Sequence, residues 1–192
     1  HLVYKLDRET TKIRPTVDFR ATNARSKHMQ VPVPFYDSML QGLAGSTCFA
    51  GHDFCKGFWN IAVHPDSQDK VAFLCHRGAF AMRRLAFGLK SSSQWFNLCV
   101  RKVLEHIKNL KSFSDDVMAH DATPAGLYDT LQDFYETVDR TRLLLNPKKC
   151  VLYAEKLPFL GFEVSRWGSH VATERIESLI HLPTPQTAAT LW

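Results

Sequence analysis

The sequence predicts an α+β domain, an antiparallel sheet backed by helices on one face, and three observations carry that expectation. Short apolar runs of strand length recur along the chain between Gly, Pro and polar turns. Two stretches, 91–110 and 123–138, space their apolar residues as helices do. Between them, Leu110 and Val117-Met118-Ala119 bracket Phe113-Ser114-Asp115-Asp116, which predicts a tight hairpin with two carboxylates at its tip. Two helices covering one face of a sheet is a stable layer arrangement.

The elements follow in order. Val31-Pro32-Val33-Pro34 reads as a rigid extended connector. Asp37 to Leu43 fits a short helix stopped by Gly45. Cys48 to Phe54 reads as a strand with Asp53 at its end, and Ile61-Ala62-Val63 and Val71 to Cys75 as further strands. Arg77-Gly78 turns the chain into Ala79 to Met82. Ser91-Ser92-Ser93-Gln94 offers a capping box, followed by the stripe Phe96, Val100, Val103, Ile107, Leu110. Thr123-Pro124 supplies an N-cap and first-turn proline for a helix burying Leu127, Leu131, Phe134 and Val138. Asp129, Asp133, Glu136 and Asp139 fall on its solvated face. Val151-Leu152-Tyr153 and Phe159 to Val164 read as late strands, with a turn at Arg166-Trp167-Gly168.

The 192 residues suffice for one sizeable core or two small subdomains. No apolar run approaches the ~18 to 20 residues that span a bilayer, no secretory pattern opens the chain, and no membrane partner is expected. The chain reads as a segment of a longer polyprotein or multidomain chain. Its net charge of +5, with Lys5, Arg8, Lys12, Arg14, Arg20, Arg25 and Lys27 gathered early, suits a polyanionic partner as well as a solvated basic face. Five widely spaced cysteines without a C-x-x-C pair indicate neither a disulfide framework nor a zinc ribbon. A reducing, intracellular setting (a cytoplasmic particle or the nucleus) is expected.

Asp115 and Asp116 stand out chemically. Adjacent ionised carboxylates among apolar strands repel each other and lose solvation. A divalent cation removes the repulsion, and Mg²⁺ held by a few carboxylates usually acts on phosphates. Asp53 is the best third acid, because two neighbouring strands would bring it beside the pair. Two ions ~3.5 to 4 Å apart would then serve in-line phosphoryl or nucleotidyl transfer.

In this order the segments resemble the fingers and palm of a reverse transcriptase, closest to gypsy-type long-terminal-repeat retrotransposons and their viral relatives. Lys5-Leu6-Asp7 resembles the fingertip lysine segment, and Arg14-Pro15-Thr16-Val17-Asp18-Phe19-Arg20-Ala21-Thr22-Asn23 the R-x-x-V-D-Y/F-R-x-x-N strand. Phe49 to Asp53 with Gly57 to Ile61 resembles the block of the first acid, and Asp69 to Phe73 the stretch after it. Phe87-Gly88-Leu89 with Ser91 to Phe96 resembles the F-G-L block, and Phe113 to Asp116 resembles Y-x-D-D. Leu145 to Cys150 and Phe159 to Phe162 resemble the last two palm blocks.

The resemblance implies a right-hand polymerase fingers–palm fold with an antiparallel palm sheet backed by helices. It divides the chain into fingers at 1–48 and 62–84, a palm strand with the first acid at 49–61, palm at 85–171, and at 172–192 the start of a linker to a thumb. It implies RNA-directed DNA synthesis on an RNA or DNA template with a primer, from dNTPs. Thumb, ribonuclease H and integrase segments of the parent polyprotein are the further partners. Asp53, Asp115 and Asp116 become the catalytic acids and ligands of two Mg²⁺ ions, with Mn²⁺ as a substitute. Lys149, or its neighbour Lys148, would protonate the leaving pyrophosphate. Lys5, Arg14, Phe54, Phe58, Phe87 and Gly88 would bind the dNTP, Lys5 and Arg14 closing over the triphosphate. Phe58, five residues after the first acid, would exclude a ribose 2′-hydroxyl. Phe159, Leu160, Gly161 and Phe162 would grip the primer terminus or form only a core hairpin.

The chain departs from the pattern at several positions. Phe113 stands where tyrosine is usual, His52 where an apolar residue is, Trp59 where histidine often is, and Ile13 where tryptophan is. Ala86 and Ser93 replace prolines. Two alternatives follow: an inactive or domesticated palm that binds nucleic acid or protein, and an RNA-dependent RNA polymerase, which Phe58 argues against.

Overall fold

A computed structural model describes residues 2–6, 11–27, 29 and 36–181. Strands β1 (Leu2–Leu6) and β2 (Thr11–Pro15) form an antiparallel hairpin, followed by the short helices α1 (Arg20–Arg25) and α2 (Tyr36–Gln41). The Val31–Pro34 connector lies outside the described residues. Strand β3 (Cys48–Asp53) leads into the hairpin of β4 (Ala72–Cys75) and β5 (Gly78–Ala81) through three 3-10 turns. Helix α3 (Ser92–Leu104), the hairpin of β6 (Leu110–Phe113) and β7 (Asp116–Asp121), and helix α4 (Pro124–Thr141) come next. The chain continues with β8 (Val151–Ala154), β9 (Lys156–Phe159), β10 (Phe162–Ser165), β11 (Gly168–Val171) and α5 (Thr173–Ile180).

The central sheet has the order β6-β7-β3-β8 with antiparallel pairing throughout. Its position follows from β3, whose residues Cys48, Phe49 and Ala50 are fully buried and so need cover on both faces. Helices α3 and α4 supply one cover, with Phe96, Val100, Leu104, Phe134 and Val138 packed on Phe54 and Val117. Leu157, Phe159 and Val164 of the β9–β10 hairpin, with Met39 and Leu43, pack on Phe49 and Met118 of the other face. The sheet therefore carries its two long helices on one face, as its apolar patterning predicts, and a second small sheet, β11-β10-β9, with the short helix α2 on the other.

Several local expectations change. Ile61–Val63 forms no strand; Ala62 makes only an isolated bridge to Arg84, because the chain winds through 3-10 turns on both sides. The Ser91 hydroxyl makes no capping bond to α3, so the capping box is not formed. Helix α3 stops at Leu104, and Leu110 of its predicted stripe opens β6 instead. The run from Phe159 to Val164 is broken by a turn with Leu160 at φ 55° and Gly161 at φ 82°. At α4 the expectation holds: the Thr123 hydroxyl accepts the Gly126 N–H at 3.1 Å.

One buried polar group predicts a pH response. His120 of β7 is 5% exposed, and its Nδ1 pairs with the Ser46 hydroxyl at 2.8 Å. Burial, and then Lys111, pull its pKa down to about 4, against the pull of Asp121. A depressed histidine pKa means that the unfolded chain takes up a proton which the fold resists. The stability tied to neutral His120 is complete above about pH 6.5 and drains as the pH falls towards 4, by about 1.4 kcal/mol per unit. The urea midpoint should fall across that window, and the slope should flatten in His120→Asn.

Candidate active site

The register of β3 against β7 sets Asp53 directly opposite Asp116. Asp115 sits in the two-residue turn joining β6 to β7, where Ser114 adopts φ 52°. The turn is tied down from two sides. The Phe54 N–H donates to the Asp115 carbonyl at 3.0 Å, and the Ser114 N–H donates to the Asn97 amide oxygen of α3 at 2.9 Å. Asp53 is anchored in turn by the Asn146 N–H, which donates to its carbonyl at 2.8 Å. The three acids predicted from the sequence thus come from the ends of two neighbouring strands, Asp53 and Asp116, and from the turn beside them, Asp115.

Lys149 joins them. It ends the 3-10 turn Pro147–Lys149, and its Nζ donates to Asp53 Oδ2 at 2.8 Å. Asp53, Asp116 and Lys149 line one open cleft of about 230 Å³ together with Leu157, Pro158 and Phe159. Partial burial raises the pKa of Asp115, and the charges of Asp53 and Asp116 raise it further, against Lys149. Burial and then Asp53 do the same to Asp116. The hydrogen bond to Asp53 raises the pKa of Lys149. The site is therefore short of positive charge.

A hard divalent cation fits that deficit, since all three side chains offer carboxylate oxygens. The convergence is incomplete, however. Among the described residues no three carboxylate, imidazole or thiolate groups form a ready-made metal cage. Asp115 points instead at Gly57, where a Cβ would overlap its carboxylate oxygen and lie 3.0 Å from Phe96 Cζ. Only glycine leaves Asp115 its place.

Phe58 is half-buried between Phe96 and Phe87, with ring centroids 5.6 and 5.0 Å away. Phe87 is 37% exposed, and Gly88 beside it takes φ 89°, a conformation suited to glycine. Phe54, predicted to bind the nucleotide, is 2% exposed and packs edge-on against Phe96. Its ring belongs to the core, because Phe54 follows the last residue of β3 onto the helix-covered side. Leu160 and Gly161 form the tip of the β9–β10 hairpin, while Phe159 is buried beneath it and Phe162 half-buried. Lys5 and Arg14 lie on β1 and β2, opposite Lys12 and Val3; their side chains are outside what is described.

Three amides escape a reading of the sequence. Asn97 has no local signal, because its partner is 17 residues away on another element. Asn60 donates to the carbonyls of Cys55 and Gly57 and accepts the Leu144 N–H, fastening the loop beside Asp53. Asn23 bridges the Gly88 carbonyl and the Lys90 N–H, each at 2.8 Å. Asn23 closes one of the recognised segments and Asn60 stands next to last in another, which was the available hint.

His52, which departs from the family's apolar pattern, faces α4 rather than the site. Its Nε2 pairs with the Tyr135 hydroxyl at 2.7 Å. Among the described residues no helix is long and apolar enough to cross a membrane.

This chain is similar to the Transposon Tf2-3 and Tf2-7 polyproteins of Schizosaccharomyces pombe (strain 972), at 23% identity over 176 residues in each case. The match covers 91% of this chain and spans 13% of the polyprotein length. Its fold matches the foamy viral protease-reverse transcriptase dRH in complex with ds DNA, with a TM-score of 0.88 at 22% identity, over 99% of this chain and 33% of that one. The same viral protein with an RNA/DNA hybrid gives 0.82 at 22% identity, over 93% and 24%. At that identity the likeness is one of fold. The profile of the family described as "Reverse transcriptase (RNA-dependent DNA polymerase)" matches residues 4–164, and this chain belongs to that family.

Proposed function

We propose that this chain is the fingers and palm of an RNA-directed DNA polymerase from a gypsy-type element. The observation that carries the reading is Asp53 opposite Asp116, with Asp115 in the adjoining turn and Lys149 bonded to Asp53. In the reaction a primer 3′-hydroxyl attacks the α-phosphate of a dNTP and pyrophosphate leaves. Asp53, Asp115 and Asp116 would hold two Mg²⁺ ions, or Mn²⁺ in their place. When bound, such ions make the hydroxyl a better nucleophile and offset charge on the leaving group. The chain's own residues do the rest. Lys149 supplies a proton to pyrophosphate, Lys5 and Arg14 hold the triphosphate, Phe87 and Gly88 line the nucleotide pocket, and the Leu160-Gly161 tip places the primer end.

The foamy viral relatives were solved on ds DNA and on an RNA/DNA hybrid, which supports a template–primer partner here. The relatives are transposon polyproteins of which the match spans 13%, which supports a longer parent chain; on this reading that parent is an intracellular element carrying thumb, ribonuclease H and integrase segments. On this reading 1–48 and 62–84 are fingers, 49–61 and 85–171 are palm, and 172–192 begins the linker.

The test is primer extension on RNA and DNA templates with Mg²⁺ or Mn²⁺. Lys149→Met should lower kcat about a hundredfold, whereas Lys148→Met should stay near wild type. Equal losses would remove Lys149 from its role. Phe58→Val should raise ribonucleotide incorporation while deoxynucleotide incorporation persists; unchanged discrimination would remove the gate. A second reading, a palm that keeps the fold without the chemistry, draws on the direction of Asp115 towards Gly57. It predicts nucleic-acid binding with no extension by any variant.

A further inference from the structure

The Phe58 ring is held by more than its own 3-10 turn, Gly57–Asn60. Phe96, 1% exposed on α3, meets it edge-on with the ring planes 70° apart. Phe87 packs on it with the planes 47° apart and also meets Trp59 at 6.1 Å. Tilted and edge-on contacts of this kind fix ring orientation through the quadrupoles of the rings. Phe96 is secured by the core. Phe87 is not: it lies in a stretch without regular secondary structure and needs another support.

That support comes from far along the chain. The Asn23 amide of α1 donates to the Gly88 carbonyl and accepts the Lys90 N–H, both at 2.8 Å. One side chain thereby closes both ends of the turn that follows Phe87. On the other side, the buried Ser92 hydroxyl donates to the Ala86 carbonyl at 2.7 Å, and Ala86 packs with Phe19 and Val71. The primary amide of Asn23 supplies both the donor and the acceptor that this arrangement uses. Aspartate keeps the acceptor and loses the donor; alanine loses both.

We propose that Asn23 is a positioning residue for sugar selection, acting through Phe87 to hold the Phe58 ring where it excludes a ribose 2′-hydroxyl. The proposal rests on the gate reading of Phe58 and adds a support that reaches from α1. Asn23 touches no substrate in this scheme; its effect passes through the 87–90 turn.

The experiment is a mutant cycle read as the ratio of kcat/KM for a dNTP to that for the matching rNTP, in single-nucleotide incorporation. Asn23→Ala and Phe87→Ala should each lower the ratio about two- to tenfold, the scale of one aromatic contact. Asn23→Asp should fall between Asn23→Ala and wild type, and it serves where the alanine variant does not fold. In a Phe58→Val background neither substitution should lower the ratio further, because the ring they hold is gone. A ratio unchanged by Phe58→Val refutes the gate. A ratio that falls with Phe58→Val and not with Asn23→Ala, or losses that add, refutes the relay. A second readout needs no turnover: in protein labelled with 4-fluorophenylalanine, the Phe58 resonance, identified by its loss in Phe58→Val, should shift or broaden in both Asn23 variants. An unmoved resonance overturns the proposal.

Discussion

Asp115→Asn is expected to abolish primer extension while making the metal-free protein more stable. Asparagine matches the carboxylate in size and removes its charge. On the proposed two-metal reading one ligand charge is gone, divalent cations would be held too weakly to support transfer, and a loss of at least about a thousandfold would follow. Stability moves the other way. The pKa of Asp115 is raised by burial and then by Asp53 and Asp116, so the fold disfavours its ionised form. At neutral pH the neutral amide removes that strain. The side chain keeps substantial access to water, so screening holds the gain to about 1 kcal/mol at most, or ~2 to 4 °C in Tm. The sign of the pH dependence is fixed. The advantage exists above the raised folded pKa and fades as the pH falls through it, because wild-type Asp115 is then protonated and neutral as well. Thermal melts with EDTA at pH 7 and pH 4, beside extension assays, check both halves. Full residual extension would sink the catalytic assignment, and an unchanged or lower Tm at pH 7 would sink the electrostatic account.

Gly57→Ala should damage both stability and activity. An added Cβ would overlap the Asp115 carboxylate and press on Phe96 at 3.0 Å. Phe96 is held in the core by α3 and cannot retreat freely, so the carboxylate must move. Overpacking of this kind costs about 1 to 3 kcal/mol. Displacing a reacting group by about 1 Å costs on the order of a hundredfold in rate. A urea titration and extension assays give the two numbers. If Gly57→Ala extends primers like wild type, the direction of Asp115 towards Gly57 is irrelevant to catalysis. The contrast between the two variants is informative: one removes charge and leaves space, the other leaves charge and removes space.

Helices α3 and α4, the carboxylate hairpin and the strand carrying Asp53 were legible because each is written in local periodicity and punctuation, whereas α1, within a segment expected as a strand, and α5, within the expected linker, were not. Leu127, Phe134 and Val138 recur at helical spacing, and all three are buried on α4. Asp115 and Asp116 sit between apolar strands, and the hairpin turn falls there. Elements with weaker local signals were not legible. Ile61–Val63 has the composition of a strand and finds no strand partner, and the Phe159–Val164 run conceals a turn. Leu110 continues a helical spacing that the chain abandons six residues earlier.

The site divides in the same way. The sequence by itself determined the identity of the acids, their order and the family pattern, because side-chain chemistry and spacing are properties of the chain. Only the tertiary structure decided that Asp53 faces Asp116, that Lys149 reaches Asp53, that Phe54 belongs to the core, and that Asn23 and Asn97 support loops far away in sequence. Those outcomes depend on register and on contacts across 17 to 96 residues. No local pattern encodes such contacts; they arise when packing both faces of β3 brings distant strands and loops to one end of the sheet.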